Sequence, residues 1–405
     1  MGYLKDAIRG VSWMTALRVL IRGLGIVKIA ILARILAPAQ FGNYGIALLV
    51  LGFLEVLTET GINIFLIQEE DEIKTYLNSA WVVSIFRGIL ITLIIVATSP
   101  LVIHFFNTPD ISRLLYIIAG IAFVRGFINP IEVEFLKKLQ FIKEFKLRGL
   151  LYFIDTAVGV GVGLVTHSEA SMLIGMLAAA VTELVLSFIL FKDRPRFSIE
   201  KEKVSKVLKS GKWVTGAGIF GYLFQNIDNL TIGKVLGTTS LGYYQQAYGI
   251  STLPVSEIGS IFNKVTFPVY VKIGGDKKRL ESAFFKTLGV IVVLVVAFTL
   301  LILLFSKPVI LLFLGEKWLV IEPVLKILAV FGALKSILNF SYSLFLSLKL
   351  QKYVMYSELM GILGMGAAIY PLTLKYGIVG GGISTIIAFI CSLPVVVYGL
   401  RKIFK

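Results

Sequence analysis

Basic side chains occur inside long apolar segments of this sequence, where an unpaired charge is unfavourable. Arg18 and Arg22 are four residues apart in the first such segment, so a helix would place both on one face. Two like charges on one face repel each other unless an anion or a carboxylate lies between them. Lys28 lies further from either end of the segment. These cations predict a site for an anionic group, and extension of both arginines to membrane headgroups remains the alternative.

A second pair of cations, Arg125 and Lys335, shares a pattern. Each is followed four residues later by an asparagine, Asn129 or Asn339, which a helix would place on the same face. Two such cations facing one cavity would bind a diphosphate, because charge-assisted hydrogen bonds suit phosphate oxygens. An ion pair with a neighbouring helix explains each cation equally well, and the sequence leaves both readings open.

Acidic residues in the apolar segments are candidates for binding a cation or a proton. Gln225, Asp228 and Asn229 have the spacing that places three side chains on one helical face. This group could bind Na⁺ or a proton, hydrogen-bond a sugar, or neutralise a cation such as Lys28. We favour a functional site over a purely structural pair. Further candidates for ion coupling are Glu55 and Glu59.

The elements that must position these residues are membrane-spanning helices. The hydrophobic fraction is 57% and the mean hydropathy is +0.87, well above the values of ordinary soluble domains. The apolar residues form blocks of about twenty, the length of a transmembrane helix. Twelve spans are predicted, at about 12–36, 42–66, 77–103, 112–134, 146–166, 169–191, 211–236, 241–268, 283–306, 322–346, 353–374 and 378–400.

The sequence gives little support for a disulfide framework, a metal site or an enzyme active site. The single cysteine, Cys391, excludes an internal disulfide framework and a cysteine-built metal site. No nucleophile lies at helical spacing from a base, and no phosphate-binding glycine loop of the Walker type occurs. Glycine runs at 159–163 and 361–366 lie within apolar segments and indicate close helix packing. The sequence therefore predicts neither an enzyme nor a cofactor, beyond Na⁺ or H⁺ for coupling.

The net charge is +16, and the basic residues lie mostly between the apolar blocks. This distribution indicates membrane topology and an anionic ligand rather than binding to nucleic acid. Basic residues concentrate in alternate connections, so the positive-inside rule places both termini in the cytoplasm of a multi-pass protein of the cell membrane. The basic residues of three inside connections are Lys137, Lys138, Lys143, Lys146 and Arg148; Lys272, Lys277, Lys278, Arg279 and Lys286; and Lys349 and Lys352, with Arg401, Lys402 and Lys405 at the C-terminus.

An internal repeat divides the chain. Residues 31–47 match residues 231–247 without a gap, and the longest polar connection, 191–211, separates two groups of six spans. We predict two six-helix bundles, residues 1–195 and 196–405, related by a pseudo-two-fold axis along the membrane normal. Arg34 and Lys234 suit helix C-termini. The matched pairs are Arg34 with Lys234, Leu36 with Leu236, Gly42 with Gly242, Tyr44 with Tyr244 and Ala47 with Ala247.

Several short motifs resemble one known family in their order and spacing. They are ILARILAPAQFGNYGIA at 31–47, ETG at 59–61 with IQ at 67–68, NIDNL at 226–230 with GYY at 242–244, FLGEKW at 313–318 and YGIVG at 376–380. Together they resemble the polysaccharide-repeat-unit flippases of the Wzx type. That family belongs with MATE transporters and lipid II flippases in the multidrug/oligosaccharidyl-lipid/polysaccharide exporter superfamily.

The resemblance implies an all-α, MATE-like membrane protein of two six-helix bundles around a central cavity. It implies transport of a polyprenyl-diphosphate-linked oligosaccharide from the cytoplasmic to the outer leaflet by alternating access. The lipid tail would stay among the membrane lipids while the head group crosses. We expect a monomer, with other polysaccharide-assembly proteins as further partners. The expected substrate-binding residues are Arg18, Arg22, Lys28, Arg125, Lys335, Gln225 and Asn229, with Asp228, Glu55 and Glu59 for ion coupling.

Two other functions remain as alternatives. A MATE-like antiporter of small organic cations would need an acidic cavity, which the many basic residues disfavour. A membrane-embedded polysaccharide polymerase would be expected to carry a sizeable polar outer loop, whereas the longest outer connection, about 306–322, is mostly apolar.

Overall fold

A computed structural model describes residues 2–68, 73–198 and 200–404, and within these ranges every regular element is helical. The predicted all-α class is confirmed. Three short 3-10 turns accompany the α-helices, at Pro109–Ile111, Pro130–Val133 and Glu316–Ile321. In chain order the α-helices are α1 Gly2–Ile35, α2 Pro38–Leu57, α3 Ile62–Gln68, α4 Ile73–Phe106, α5 Ser112–Gly126, α6 Glu134–Lys137, α7 Phe141–Thr166, α8 Ala170–Ile189, α9 Lys201–Ile273, α10 Lys277–Leu304, α11 Ser306–Phe313, α12 Glu322–Ser347, α13 Gln351–Tyr376 and α14 Ile378–Phe404.

Seven of the described helices are long and apolar enough to cross a membrane: α2, α4, α7, α8, α10, α13 and α14. An eighth span results if the pair Pro109–Gly126 and Pro130–Lys137, bent by 71°, crosses as one element. Many large apolar side chains on these helices are exposed, as lipid contact requires; Leu101 is 69% exposed and Val293 is 68% exposed. The chain is a multi-pass membrane protein. Each of the twelve predicted spans overlaps a helix, while twelve crossings remain a prediction.

Two of the predicted spans are interrupted. Helix α2 ends at Leu57, and Gly61 then adopts a φ of 65° before α3 begins. Helix α5 ends at Gly126, and Asn129 caps the following 3-10 turn, where its Oδ1 accepts a hydrogen bond from the Ile131 backbone nitrogen at 3.1 Å. The prediction that Asn129 shares a helical face with Arg125 is therefore wrong, because the helix ends between them.

The internal repeat coincides with two helix breaks. Helix α1 ends at Ile35 and α2 begins at Pro38. At the corresponding place in α9, Gly237 has a φ of 81° and a ψ of −179°, which interrupts the helix between the predicted spans 211–236 and 241–268. Arg34 and Lys234 precede these breaks, and both side chains are exposed. Their position agrees with the prediction that a cation is favourable at a helix C-terminus.

The described chain forms two compact units, Met1–Asn226 and Ile227–Lys405. In the first unit α7 packs against α1 and α8, and α5 packs against α4 and α8. In the second unit α14 packs against α12 and α13, and α10 packs against α12. The core of the second unit includes Phe284 stacked on Phe340 at 5.4 Å between ring centroids. The predicted division of bundles after residue 195 stays a prediction.

Close packing at glycine brings α1, α7 and α8 together. A Cβ atom on Gly163 would lie 2.4 Å from Leu32 Cδ2, and one on Gly175 would lie 2.3 Å from the backbone oxygen of Asp155. The packing role predicted for the 159–163 run is confirmed at Gly163, whereas Gly161 has open space around it. In the second unit a Cβ atom on Gly364 would lie 2.6 Å from Cys391 Sγ.

Candidate functional site

The buried cation of α1 has a partner on α7. Lys28 is only 8% exposed, and its Nζ lies 2.7 Å from Asp155 Oδ1. The same ammonium group donates a hydrogen bond to the Met172 backbone oxygen at 3.3 Å. A buried charge is stabilised only when it is paired in this way. Asp155 therefore takes the role that the sequence analysis considered for Asp228.

A cavity of about 520 Å³ lies in the first unit beside this ion pair. Side chains of α2, α5, α7 and α8 surround it, and both signs of charge are present. The two cations are arginines and the two anions are carboxylates, so the cavity is not the acidic site that the antiporter alternative would need. The lining residues are Tyr44, Arg125, Arg148, Leu151, Tyr152, Asp155, Met176, Ala179, Ala180 and Glu183.

Arg125 lines two cavities at once. It contributes to the wall of the 520 Å³ cavity and to that of a smaller one of about 110 Å³. One guanidinium nitrogen lies 2.7 Å from Glu55 Oε1, and each side chain remains more than one-third exposed. The ion pair with a neighbouring helix, one of the two readings of Arg125 from the sequence, is therefore present. Because the Arg125 side chain is more than one-third exposed, its guanidinium group also remains accessible to a ligand in either cavity.

Both predicted coupling carboxylates of this unit are held by arginines. Glu59 pairs with Arg87 at 3.2 Å, and its other oxygen accepts the Gly61 backbone N–H at 2.8 Å. Arg87 also donates to the Glu55 backbone oxygen at 2.7 Å. These contacts bind the end of α2 to α4 at the break where α2 stops. Glu59 thus has a clear structural role in addition to the coupling role that the sequence predicts.

Arg148 is the centre of an ionic cluster in the first unit. It contacts Glu144 at 3.0 Å, Glu132 at 3.1 Å and Glu183, so that three carboxylates surround one guanidinium. The second oxygen of Glu132 is buried and has no hydrogen-bond partner among the described residues. This cluster was not predicted, because Arg148 lies among the basic residues that indicate membrane topology. The four-residue spacing of Glu144 and Arg148 was the available signal.

The arginines of the first helix are placed differently from Lys28. Arg18 is partly buried and Arg22 is exposed, and the described lining of the 520 Å³ cavity includes neither. Trp13 on the same helix packs against Phe145 of α7, with ring centroids 5.0 Å apart. Lys28 is also absent from that lining, but its partner Asp155 is part of it, so Lys28 is connected to the cavity through this ion pair.

In the second unit Asp228 is the centre of a hydrogen-bonded group. Its side chain is 3% exposed, and Oδ2 accepts a hydrogen bond from the Tyr244 hydroxyl at 2.8 Å. Oδ1 accepts from the backbone and side-chain nitrogens of Asn229 at 2.8 and 3.1 Å. Asn229 Oδ1 is buried and has no partner among the described residues. Gln225 is exposed, whereas Asp228 is buried and Asn229 is partly buried. The three residues predicted to share one helical face therefore differ in their exposure.

Lys335 is connected to this group through two tyrosines. Its Nζ donates to the Tyr248 hydroxyl at 3.1 Å and lies 5.6 Å from the centre of the Phe331 ring. The rings of Tyr248 and Tyr244 are 6.3 Å apart. The structure thus brings Asp228, Asn229 and Lys335 into one region of the second unit. The partner shown for Lys335 is a hydroxyl and two aromatic rings, an arrangement that stabilises a cation without neutralising it.

The comparisons with known proteins agree with this helical, charge-containing architecture. A family model described as "Polysaccharide biosynthesis protein" matches residues 31–323. The chain belongs to this family. The resemblance predicted from the short motifs is confirmed. The lipopolysaccharide biosynthesis protein WzxC of Escherichia coli (strain K12) is similar to this chain, with 28% identity over 345 residues, which cover 84% of this chain and 69% of WzxC.

Solved structures show the fold that this member of the polysaccharide biosynthesis protein family adopts. The lipid II flippase MurJ in an inward closed conformation is similar with a TM-score of 0.75 and 16% identity, over 96% of this chain and 88% of MurJ. An inward-facing MATE multidrug transporter of the MOP superfamily gives a TM-score of 0.66 and 15% identity, over 94% of both chains. The predicted MATE-like membrane fold is confirmed.

Proposed function

We propose that this protein is a flippase that moves a polyprenyl-diphosphate-linked oligosaccharide from the cytoplasmic to the outer leaflet of the cell membrane. Membership of the polysaccharide biosynthesis protein family carries the proposal. The name of its relative WzxC refers to lipopolysaccharide biosynthesis, and the protein that shares its fold, MurJ, is a lipid II flippase. On this proposal the protein acts in cell-surface polysaccharide assembly as a transporter and not as an enzyme.

The diphosphate would be bound by exchange of ionic partners. Arg125 is paired with Glu55 at 2.7 Å but remains partly open to two cavities, so a phosphate oxygen can replace the carboxylate. Lys28 is paired with Asp155, which lines the same cavity. We assign the remaining substrate contacts to Arg18, Arg22, Lys335, Gln225 and Asn229.

The same exchange suggests a coupling step. A carboxylate that loses its arginine partner to a phosphate is left with an uncompensated charge, which favours uptake of a proton or Na⁺. Glu55 and Glu59 are the candidates in the first unit, because arginines hold both of them. Asp228 is the candidate in the second unit, where hydrogen bonds from Tyr244 and Asn229 stabilise its carboxylate. Ion uptake would then accompany substrate binding.

For the whole protein we propose twelve spans in two six-helix bundles, 1–195 and 196–405, related by a pseudo-two-fold along the membrane normal. Both termini would be cytoplasmic, and transport would proceed by alternating access of the bundles. The functional form would be a monomer that cooperates with other polysaccharide-assembly proteins. The overlap of every predicted span with a helix supports this arrangement.

The test is a flipping assay in proteoliposomes. The probe is a polyprenyl-diphosphate-linked oligosaccharide with a fluorophore on the sugar, and an impermeant quencher reports how much probe has reached the outer leaflet. Arg125→Ala is expected to lower the initial rate at least about tenfold, because a charge-assisted contact of about 1.5–3 kcal/mol is lost. Arg113→Ala is the matched control, since Arg113 is exposed near the start of the same helix.

Three outcomes would contradict the proposal in distinguishable ways. Equal rates for protein-free and protein-containing vesicles would exclude flipping of this substrate class. Equal rates for Arg125→Ala and Arg113→Ala, with folding unchanged, would exclude Arg125 from the site. Transport of a small organic cation with no movement of the lipid probe would favour the MATE-like antiporter, and elongation of the glycan would favour the polymerase.

A further inference from the structure

A further cavity of about 400 Å³ lies at one end of the second unit. It is formed by the start of α10, the connection between α12 and α13, and the last turn of α14. Its volume falls in the range of about 300–1,000 Å³ typical of small-molecule sites. The flippase proposal does not use this cavity. The lining residues are Gly274, Lys277, Leu280, Leu348, Leu350, Lys352, Tyr353, Lys402 and Ile403.

Three lysines from distant parts of the sequence converge on this cavity. Lys277, Lys352 and Lys402 each come from a different helix. The described lining contains no acidic side chain. The carboxylate nearest in sequence, Asp276, caps α10 and pairs with Arg279 at 3.5 Å. Three converging cations without a carboxylate among the lining residues repel each other, and an anion bound between them would relieve that repulsion.

The floor of the cavity is apolar. Leu280 is 1% exposed and Tyr353 is 6% exposed, so both side chains belong to the packed core beneath the lysines. The Lys352 ammonium group lies 5.5 Å from the centre of the Tyr353 ring. A cationic rim above an apolar floor matches an amphiphile, in which a phosphate and an acyl or glycerol portion are joined. A free inorganic anion would contact only the lysines of the rim and would leave the apolar floor without a partner.

The cavity lies at the level where lipid headgroups are expected. Helices α10, α13 and α14 are all long and apolar enough to cross a membrane. The three lysines lie at the helix ends that the positive-inside rule assigns to the cytoplasm. Large side chains of the same helices near the cavity are exposed as lipid contact requires; Phe285 is 51%, Met355 57% and Tyr398 61% exposed.

We propose that this cavity binds the phosphate headgroup of an anionic phospholipid of the cytoplasmic leaflet. Lys277, Lys352 and Lys402 contact the phosphate, while Leu280, Leu348 and Tyr353 contact the glycerol and the first acyl carbons. Basic pockets between helix ends on the cytoplasmic side bind lipid headgroups in this way. The bound lipid would hold the ends of α10, α13 and α14 together.

The experiment uses the full-length chain, purified in detergent and stripped of lipid. Native mass spectrometry measures binding of phosphatidylglycerol and of phosphatidylcholine, and thermal unfolding is followed with each lipid and with inorganic phosphate. The test variant is K277A/K352A/K402A. The matched control is K192A/R194A/R196A, which removes the same charge from exposed residues of another predicted cytoplasmic connection. A third variant, K277R/K352R/K402R, keeps the charge and should retain binding.

Phosphatidylglycerol is expected to bind in preference to phosphatidylcholine and to raise the unfolding temperature. The test variant should bind it at least about tenfold more weakly, and the control should bind it like the parent protein. Equal binding of the two lipids, or an equal loss in the test and control variants, would overturn the proposal. Equal stabilisation by inorganic phosphate would overturn the assignment to a lipid and leave a soluble phosphate as the ligand.

Discussion

The Tyr244 hydroxyl donates a 2.8 Å hydrogen bond to Asp228, and both side chains are buried. The positions two hundred residues earlier are Tyr44 and Lys28. In the first unit Lys28 pairs with Asp155, and Tyr44 and Asp155 line the same cavity. Each repeat therefore keeps a tyrosine close to an aspartate, half-buried at Asp155 and buried at Asp228, while the residue at 28 or 228 changes from cation to anion. The two halves therefore share the tyrosine–aspartate arrangement but differ in the sign of the charge at the equivalent positions 28 and 228.

Loss of the Tyr244 hydroxyl should destabilise the second unit. In Tyr244→Phe the Asp228 carboxylate loses a buried donor, and hydrogen bonds to charged groups contribute about 1.5–3 kcal/mol. The unfolding temperature is therefore expected to fall. It can be measured in detergent from the tryptophan fluorescence. Tyr243→Phe is the matched control, because its hydroxyl makes a long 3.4 Å contact to the Lys317 backbone oxygen. Equal unfolding temperatures for the two variants would show that the Asp228 contact contributes nothing.

The Lys28–Asp155 pair should show strong energetic coupling. Asp155→Leu leaves the buried Lys28 ammonium group without its carboxylate partner and should destabilise the fold by about 3–5 kcal/mol. Lys28→Met leaves the half-buried Asp155 facing the cavity and should cost less. The double variant should recover much of this loss, because no unpaired charge remains. The measurement is a double-mutant cycle on unfolding free energy in mixed detergent. Additive losses would mean that the two side chains act independently.

Arg148 should be essential for stability because three carboxylates surround it. Arg148→Met leaves Glu132, Glu144 and Glu183 close together without a cation, at a cost of about 3–5 kcal/mol near neutral pH. The loss should shrink as the pH falls, since the carboxylates then take up protons and stop repelling each other.

The control for this prediction lies two residues away. Lys146 is exposed on the same helix, so Lys146→Met should change the free energy of unfolding by less than about 0.5 kcal/mol. Unfolding temperatures of both variants across a pH series provide the measurement. A deficit in Arg148→Met that does not vary with pH would indicate lost packing rather than lost charge compensation.

Close contact between α4 and α5 should be sensitive to a single methyl group. A Cβ atom on Gly88 would lie 2.7 Å from Gly126 Cα, so Gly88→Ala must push the helices apart, at a cost of about 1–3 kcal/mol. Both glycines also line the small cavity beside Arg87 and Arg125. Gly120→Ala is the control, because its Cβ would meet no atom within 4 Å. Unfolding temperatures are expected to fall only for Gly88→Ala.

Local features of the sequence predicted the helices and several of their ends. Long apolar blocks identified the helical segments, because a membrane leaves few other ways to satisfy the backbone. The FLGEKW motif contains Gly315, which adopts a φ of 99°, and Trp318, which is fully buried against Tyr243. The turn at Gly315 is a local feature that the sequence can reveal, whereas the burial of Trp318 against Tyr243 depends on tertiary packing.

The ionic partners could not be predicted in the same way. Asp155 is 127 residues from Lys28, and their contact depends on close approach of α1, α7 and α8 at Gly163 and Gly175. Arg148 lies near the start of a helix, where a charged residue is common and suggests no special role. Only the tertiary packing places Glu183 beside it. The error at Asn129 has a similar origin, because a hydrogen bond of its backbone nitrogen to Ser187 Oγ on another helix fixes the turn.

The contact between Gly364 and Cys391 has a practical consequence for spectroscopy. Cys391 is the single cysteine in 405 residues, and its Sγ occupies the space where a side chain at 364 would lie. Cys391→Ala removes one atom from this crowded position, so it is expected to preserve the packing of α13 and α14. One small substitution therefore yields a thiol-free chain, in which pairs of introduced cysteines can carry spin labels and report how helix separations change during a transport cycle.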